Sequence, residues 1–96
     1  MPERRLRVPG AVASLVQGLH PDLKRKLRAA LDAIIADPSV GKALRDELAG
    51  LRSYRIGRFR LVYRVAGSII EIVAVGPRAS IYEETWRRVR RDLSSR

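Results

Sequence analysis

Arg55, Arg60, Arg78 and Tyr82 are the residues of this chain whose types and spacing could do chemistry. They lie within one block, YRIGRFRLVYRV-AGSII-EIVAVGPRASIY, spanning residues 54–82. Arginine presents five donors in a fixed fork and grips phosphate bidentately, so an arginine-lined strand ending near Arg78 and Tyr82 points to a polyanion. Arginine stays protonated and cannot serve as a base, but it can stabilise the charge that develops on a phosphorane. In RNA cleavage the substrate's own 2′-hydroxyl can be the nucleophile, leaving the protein to align the chain, neutralise the phosphate and manage two protons. Arg55, Arg60 and Arg78 could share the phosphate, while Tyr82 could stack on a base or take part in proton transfer.

Other chemistries lack the residues they need. There is no cysteine, and His20 is the only histidine, so neither a serine–histidine nor a cysteine–histidine pair can be assembled. No carboxylates cluster at ligand spacing, and no metal or cofactor is expected. His20 precedes Pro21 at a helix entry, a place suited to a turn. Gly57, Gly67 and Gly76 are isolated and read as turns rather than as a phosphate-cradling loop.

The charge pattern agrees with an anionic partner. The net charge is +10, with nine basic against six acidic residues in 1–50 and eleven against four in 51–96. All the basic residues after Lys42 are arginine. A field of this sign favours RNA, DNA or an acidic protein. With 96 residues, 46% of them hydrophobic, the chain suits one domain over 1–96. The lack of cysteine, of a membrane-length apolar run and of a signal-peptide core in MPERRLRV leads to the expectation of a cytoplasmic protein without a membrane partner.

The elements that must position these residues form an α+β pattern. Residues 4–8 suggest a short strand, and Val12, Leu15, Val16 and Leu19 a helix over 10–18. Pro21 and Asp22 open a second helix, whose apolar stripe is Leu23, Leu27, Ala30, Leu31, Ile34 and Ile35; Asp37-Pro38 ends it. Residues 39–50 are ambiguous, between a loose helical turn and a connection. Period-two alternation then predicts three strands with hairpin tips at Ile56-Gly57-Arg58 and Ala66-Gly67-Ser68. Ser80 and Glu83 have the form of a capping box opening a last helix, with Tyr82, Trp86, Val89 and Leu93 in its stripe. The expected order is β-α-α-β-β-β-α, an antiparallel sheet carrying two N-terminal helices and a C-terminal helix. Arg58, Arg64, Arg87 and Arg88 are candidate RNA-facing residues, though alternation alone would equally make Arg58 and Arg64 a solvated face. Tyr82 could instead pack in the core, and Ser80 reads as a cap rather than a catalytic hydroxyl.

At these residues the sequence resembles the RelE/ParE superfamily of toxins from type II toxin–antitoxin systems. The two-helix half ending in Asp-Pro, Tyr54-Arg55-Ile56, the Phe59-Arg60-Leu61-Val62-Tyr63-Arg64-Val65 strand, Val75-Gly76-Pro77-Arg78 and Tyr82 follow the family in order. The resemblance implies a small RelE-like fold and, in the RelE-like branch, a ribosome-dependent mRNA endoribonuclease. It also implies an acidic antitoxin that forms a hetero-oligomer with the toxin. Arg60 and Arg78 would match the phosphate-contacting arginines, and Tyr82 the tyrosine used in cleavage or stacking. Arg55 falls where RelE-like nucleases often carry a lysine, and with no lysine after Lys42 a lysine base in this region is lacking. The alternatives within the resemblance are a ParE-like inhibitor of DNA gyrase and a catalytically idle corepressor.

Overall fold

The computed structural model describes residues 4–94, with the side chains of Arg88 and of residues 91–94 outside that description. Strand β1 (Arg5–Arg7) is followed by helices α1 (Gly10–Gln17) and α2 (Pro21–Ala36). A two-residue strand β2 (Lys42–Ala43) comes next, flanked by single 3-10 turns at Pro38–Val40 and Asp46–Leu48. Strands β3 (Leu51–Ile56), β4 (Phe59–Ala66) and β5 (Ile69–Pro77) then form a meander, and α3 (Ile81–Ser94) closes the chain. The sheet order is β1-β5-β4-β3-β2.

This is the expected α+β architecture with two additions. Strand β2 emerges from the ambiguous segment 39–50, pairing antiparallel with β3. The sheet is antiparallel except at one edge, where β1 runs parallel to β5. Two residues of edge pairing are too short to leave a periodic signal, and strand direction is decided by the α1–α2 crossover rather than by local pattern.

Both hairpin tips fall where the turn chemistry puts them. Gly57 and Gly67 hold φ of 59° and 61°, a left-handed backbone that glycine adopts without a Cβ clash. Proline at the start of α2 costs no hydrogen bond there, and His20 caps that helix by accepting the Asp22 N–H on Nδ1 at 3.2 Å.

Both faces of the sheet are covered. On one, Leu27, Ala30 and Ile34 of α2 and Val12 of α1 pack on Ile56, Leu61, Tyr63, Ile70, Ile72 and Val75. On the other, Leu51, Val62 and Ala74 meet Ile81 of α3. A register shift makes the second face possible. Val62 pairs with Ala74 but Tyr63 pairs with Ile72, so Val73 is an extra residue. Such a bulge reverses which face the following residues present. Ile70 and Ile72 face α1 and α2, whereas Ala74 faces α3, as does Gly76 beneath Ile81. Small residues thus lie where α3 must approach.

Tyr63 ties the ambiguous segment to the core. Its ring is fully buried, and its hydroxyl donates to the Pro38 carbonyl at 2.5 Å while accepting the Gly41 N–H at 2.9 Å. Burial raises the phenol's pKa above its ordinary value, against the lowering effect of the Gly41 N–H. A Cβ at Gly41 would stand 2.7 Å from Tyr63 Cε1. The fully buried ring has little room to move aside. We therefore predict that Gly41→Ala lowers the unfolding free energy by about 1–3 kcal/mol, measured by chemical denaturation.

Asp37 caps the first 3-10 turn, accepting from Ser39 Oγ at 2.7 Å and from the Ser39 N–H at 3.1 Å. These bonds hold its carboxyl below the ordinary value of 3.8. A depressed folded-state pKa stabilises the protein above the unfolded value, and that contribution is lost as pH falls through the folded one. On acidification below pH 3.8 the wild type should lose stability more steeply than Asp37→Asn, as read from melting temperatures across that range.

Candidate functional site

The α3-facing side of β3, β4 and β5 carries the candidate residues in rows. Arg55 on β3 is in register with Arg60 on β4, and Arg60 with Gly76 on β5. Two like charges directly opposite on one face are destabilising unless something anionic separates them. One row along, Ser53 is opposite Val62, and Val62 opposite Ala74.

Ser53, which sequence reasoning passed over, joins two of the candidates. It is only 2% exposed, and its Oγ accepts a hydrogen bond from Arg60 Nη1 at 3.1 Å and another from Tyr82 Oη at 3.3 Å. Arg60 is half-buried, and its Nε is buried without a partner, the only such side-chain atom among the described residues. A guanidinium in this state has a donor to spare in a place where donors are expensive to leave unused. The signal for Ser53 in the sequence was a small polar residue at an inward position of a strand; its two partners come from elements 7 and 29 residues away.

Tyr82 is 37% exposed, so its ring belongs to the surface beside Arg60, with only the hydroxyl reaching inward. The buried stripe of α3 is instead Ile81 and Thr85, flanked by Val89. Thr85 tolerates full burial because its Oγ1 donates to the Ile81 carbonyl at 2.7 Å. Leu93, expected in that stripe, has a side chain outside the described residues. Ser80 precedes the helix, its carbonyl accepting the first helical bond from the Glu84 N–H at 3.1 Å.

Arg58 and Arg78 meet at the same end of the sheet. The Arg78 N–H donates to the Arg58 carbonyl at 3.1 Å, which pins the segment after β5 to the β3–β4 tip. Arg55 is exposed, and its Nε donates to the Gly57 carbonyl at 3.3 Å across that tip. Arg55, Arg58, Arg60 and Arg78 are thereby brought together.

The other candidates go elsewhere. Arg64 lies four residues along β4 from Arg60, about 13 Å away at strand rise, and is ion-paired with Glu71. Glu71 also meets Arg7 at 3.5 Å. Arg87 is paired with Glu83 at 2.6 Å, and the side chain of Arg88 lies outside the described residues. Among the described residues, none of Arg55, Arg58, Arg60 and Arg78 has a carboxylate partner. No three histidine or acidic side chains there converge as metal ligands.

The five-stranded sheet with two helices on one face and a C-terminal helix on the other is the RelE-like fold. The family described as the ParE toxin of the type II toxin–antitoxin system parDE matches residues 15–82. The chain belongs to that toxin family, within the RelE/ParE superfamily. Among solved structures, it resembles the RelBE2 toxin–antitoxin complex of Mycobacterium tuberculosis at 31% identity, covering 80% of this chain and 100% of that one, with a TM-score of 0.64. A double arginine-to-alanine variant of Escherichia coli RelE in the free state shares the fold with a TM-score of 0.76 at 18% identity, covering 94% and 98% of the two chains. The archaeal RelE–RelB complex of Pyrococcus horikoshii gives 0.67 at 22% identity, covering 80% and 97%. No curated protein matches.

If Ser53 holds Arg60 in place, Ser53→Ala should release it. The expected result is a loss of about 1 kcal/mol in stability together with a lower ¹⁵N order parameter at Arg60 Nε. An unchanged order parameter would show that the bond does not fix the guanidinium.

Proposed function

We propose that this toxin is a ribosome-dependent mRNA endoribonuclease, an mRNA interferase of the RelE-like kind that acts in the cytoplasm and inhibits translation. The observation that carries the reading is the Arg60–Ser53–Tyr82 network beside three further arginines without carboxylate partners. Arg60 and Arg78 hold the phosphate at the cleavage point, with Arg55 and Arg58 on the flanking backbone. Arg64, Arg87 and Arg88 belong to the wider RNA-facing surface. Tyr82 lies against the nucleotide, its hydroxyl within reach of the departing oxygen. The 2′-hydroxyl of the RNA is the nucleophile, so neither a protein nucleophile nor a metal is required.

An acidic antitoxin is the proposed partner in a hetero-oligomer that silences the toxin. The +10 charge supports it, as do the toxin–antitoxin complexes among the similar structures. A second reading, a ParE-like inhibitor of DNA gyrase, is favoured by the family model that matches residues 15–82. Arginines around a phosphate would serve either target, but a tyrosine hydroxyl linked to the same arginine serves cleavage.

Purified toxin should cut mRNA on translating ribosomes, leave free RNA intact and leave gyrase supercoiling unaffected. Arg60→Ala and Arg78→Ala should each slow cleavage by about 10²-fold or more, as losing one donor to a developing oxyanion does. Tyr82→Phe should act in the same direction. Inhibited supercoiling with intact mRNA would establish the gyrase reading instead.

A further inference from the structure

In the nuclease reading Arg60 and Arg78 take the phosphate, and none of the residues assigned so far can act as a base. A further carboxylate at this end of the sheet is Glu84. It lies in the first turn of α3, half-buried, on the side of the helix that meets the sheet. Its Oε2 is 3.2 Å from where a Cβ of residue 76 would stand, as is Ile81 Cδ1, so the carboxylate packs closely over that glycine. Gly76 is the register partner of Arg60, and Arg60 of Arg55. Neighbouring strands are about 4.8 Å apart, so Glu84 stands one strand from Arg60 on the same face. Yet among the described residues no ion pair engages it.

The other carboxylates of the C-terminal half are committed or distant. Glu71 is held by Arg7 and Arg64 at the far end of β5, and Glu83 points outward to Arg87. The Asp92 side chain lies outside the described residues. A purely structural account of Glu84 would be the helix dipole, which favours carboxylates anywhere in a first turn. Glu83 already satisfies that preference from the solvent side. The dipole gives no reason for a second carboxylate to lie over Gly76, the register partner of Arg60.

We propose that Glu84 is the general base of RNA cleavage, an inference that rests on the nuclease reading above. As its carboxylate takes the 2′-hydroxyl proton, the 2′-oxygen forms a bond to the adjacent phosphorus. The P–O5′ bond breaks, its electron pair leaves with the 5′-oxygen, and that oxygen takes the Tyr82 hydroxyl proton. The products are a 2′,3′-cyclic phosphate and a 5′-hydroxyl; water restores the Tyr82 proton and Glu84 returns its own to solvent. The charged residues of the elements that meet Glu84 are Arg60 on β4, Arg55 on β3, Arg78 after β5, and Glu83 and Arg87 on its own helix, where Tyr82 also lies and the Arg88 side chain is outside the described residues. Helix α3 also packs on the 46–48 turn, whose Asp46 and Glu47 are exposed.

The test is single-turnover cleavage of ribosome-bound mRNA by purified wild type, Glu84→Gln and Glu84→Asp across a pH series. A base carboxylate works only when ionised, so the wild-type rate should fall on the acid side. Glu84→Gln should lose about 10²-fold or more and lose that acid limb, with ribosome affinity retained, while Glu84→Asp recovers part of the rate. A Glu84→Gln variant that keeps the wild-type rate, or that slows but keeps the acid limb, overturns the assignment and leaves the nuclease reading standing. Wild-type toxin that leaves ribosomal mRNA uncut overturns the nuclease reading and this inference with it.

Discussion

A guanidinium on the middle strand of a sheet covered on both faces is costly wherever one of its donors goes unanswered. Arg60 has Ser53 for one nitrogen and nothing for Nε. Three features of the chain converge to create this state. Strand β4 is buried along Leu61, Val62 and Tyr63, which fixes its register against β3 and β5. The extra residue at Val73 turns Ala74 and Gly76 toward α3, so the helix can approach closely. The helix then brings Tyr82 Oη onto the same serine that binds Arg60. An arginine so placed is preorganised, and little side-chain entropy remains to be lost when an anion arrives.

Charge is compensated unevenly over this basic protein. Arg7 and Arg64 share Glu71, Arg25 pairs with Asp22, and Arg87 pairs with Glu83. These surface pairs contribute little to stability, but they cancel charge locally. The arginines at the β3–β4 tip and after β5 keep theirs. The net charge of +10 is therefore compensated only in part, and the four arginines at this end of the sheet are among the cations without a carboxylate partner among the described residues, a local field that favours a polyanion.

Much of this could be read from sequence because it depends on local rules. Pro21 and Asp37-Pro38 bound α2, glycines with left-handed backbone mark both hairpin tips, and alternation finds β3 and β4. What escaped depends on partners distant in the chain. Strand β2 exists only through its pairing with β3, and β1 reads as a strand but not as a parallel one. The grouping of Arg55, Arg58, Arg60 and Arg78 follows from the meander, whereas the pairing of Arg64 with Glu71 needs the β4–β5 register. Ser53 carries only the weak mark of a small polar residue at an inward strand position, because both its partners lie in other elements. Glu84 escapes for another reason: its place over Gly76, the register partner of Arg60, depends on the β5 bulge and on the way α3 packs on the sheet. Tyr82 fitted the helical stripe in sequence, yet its ring lies at the surface because Ile81 and Thr85 occupy the buried positions.

In the proposed reaction Arg60, held by Ser53 beside Tyr82, receives the phosphate at which the RNA is cut. The most direct measurement is a cryo-electron microscopy structure of the toxin on a ribosome carrying mRNA with a 2′-O-methyl group at the cut site. The expected result is that phosphate within about 3 Å of the Arg60 guanidinium, as a charge-assisted hydrogen bond requires, with the adjoining nucleotide against Tyr82. A phosphate bound only by outward arginines of α3, or RNA lying on the α1–α2 face with Arg60 untouched, would contradict it.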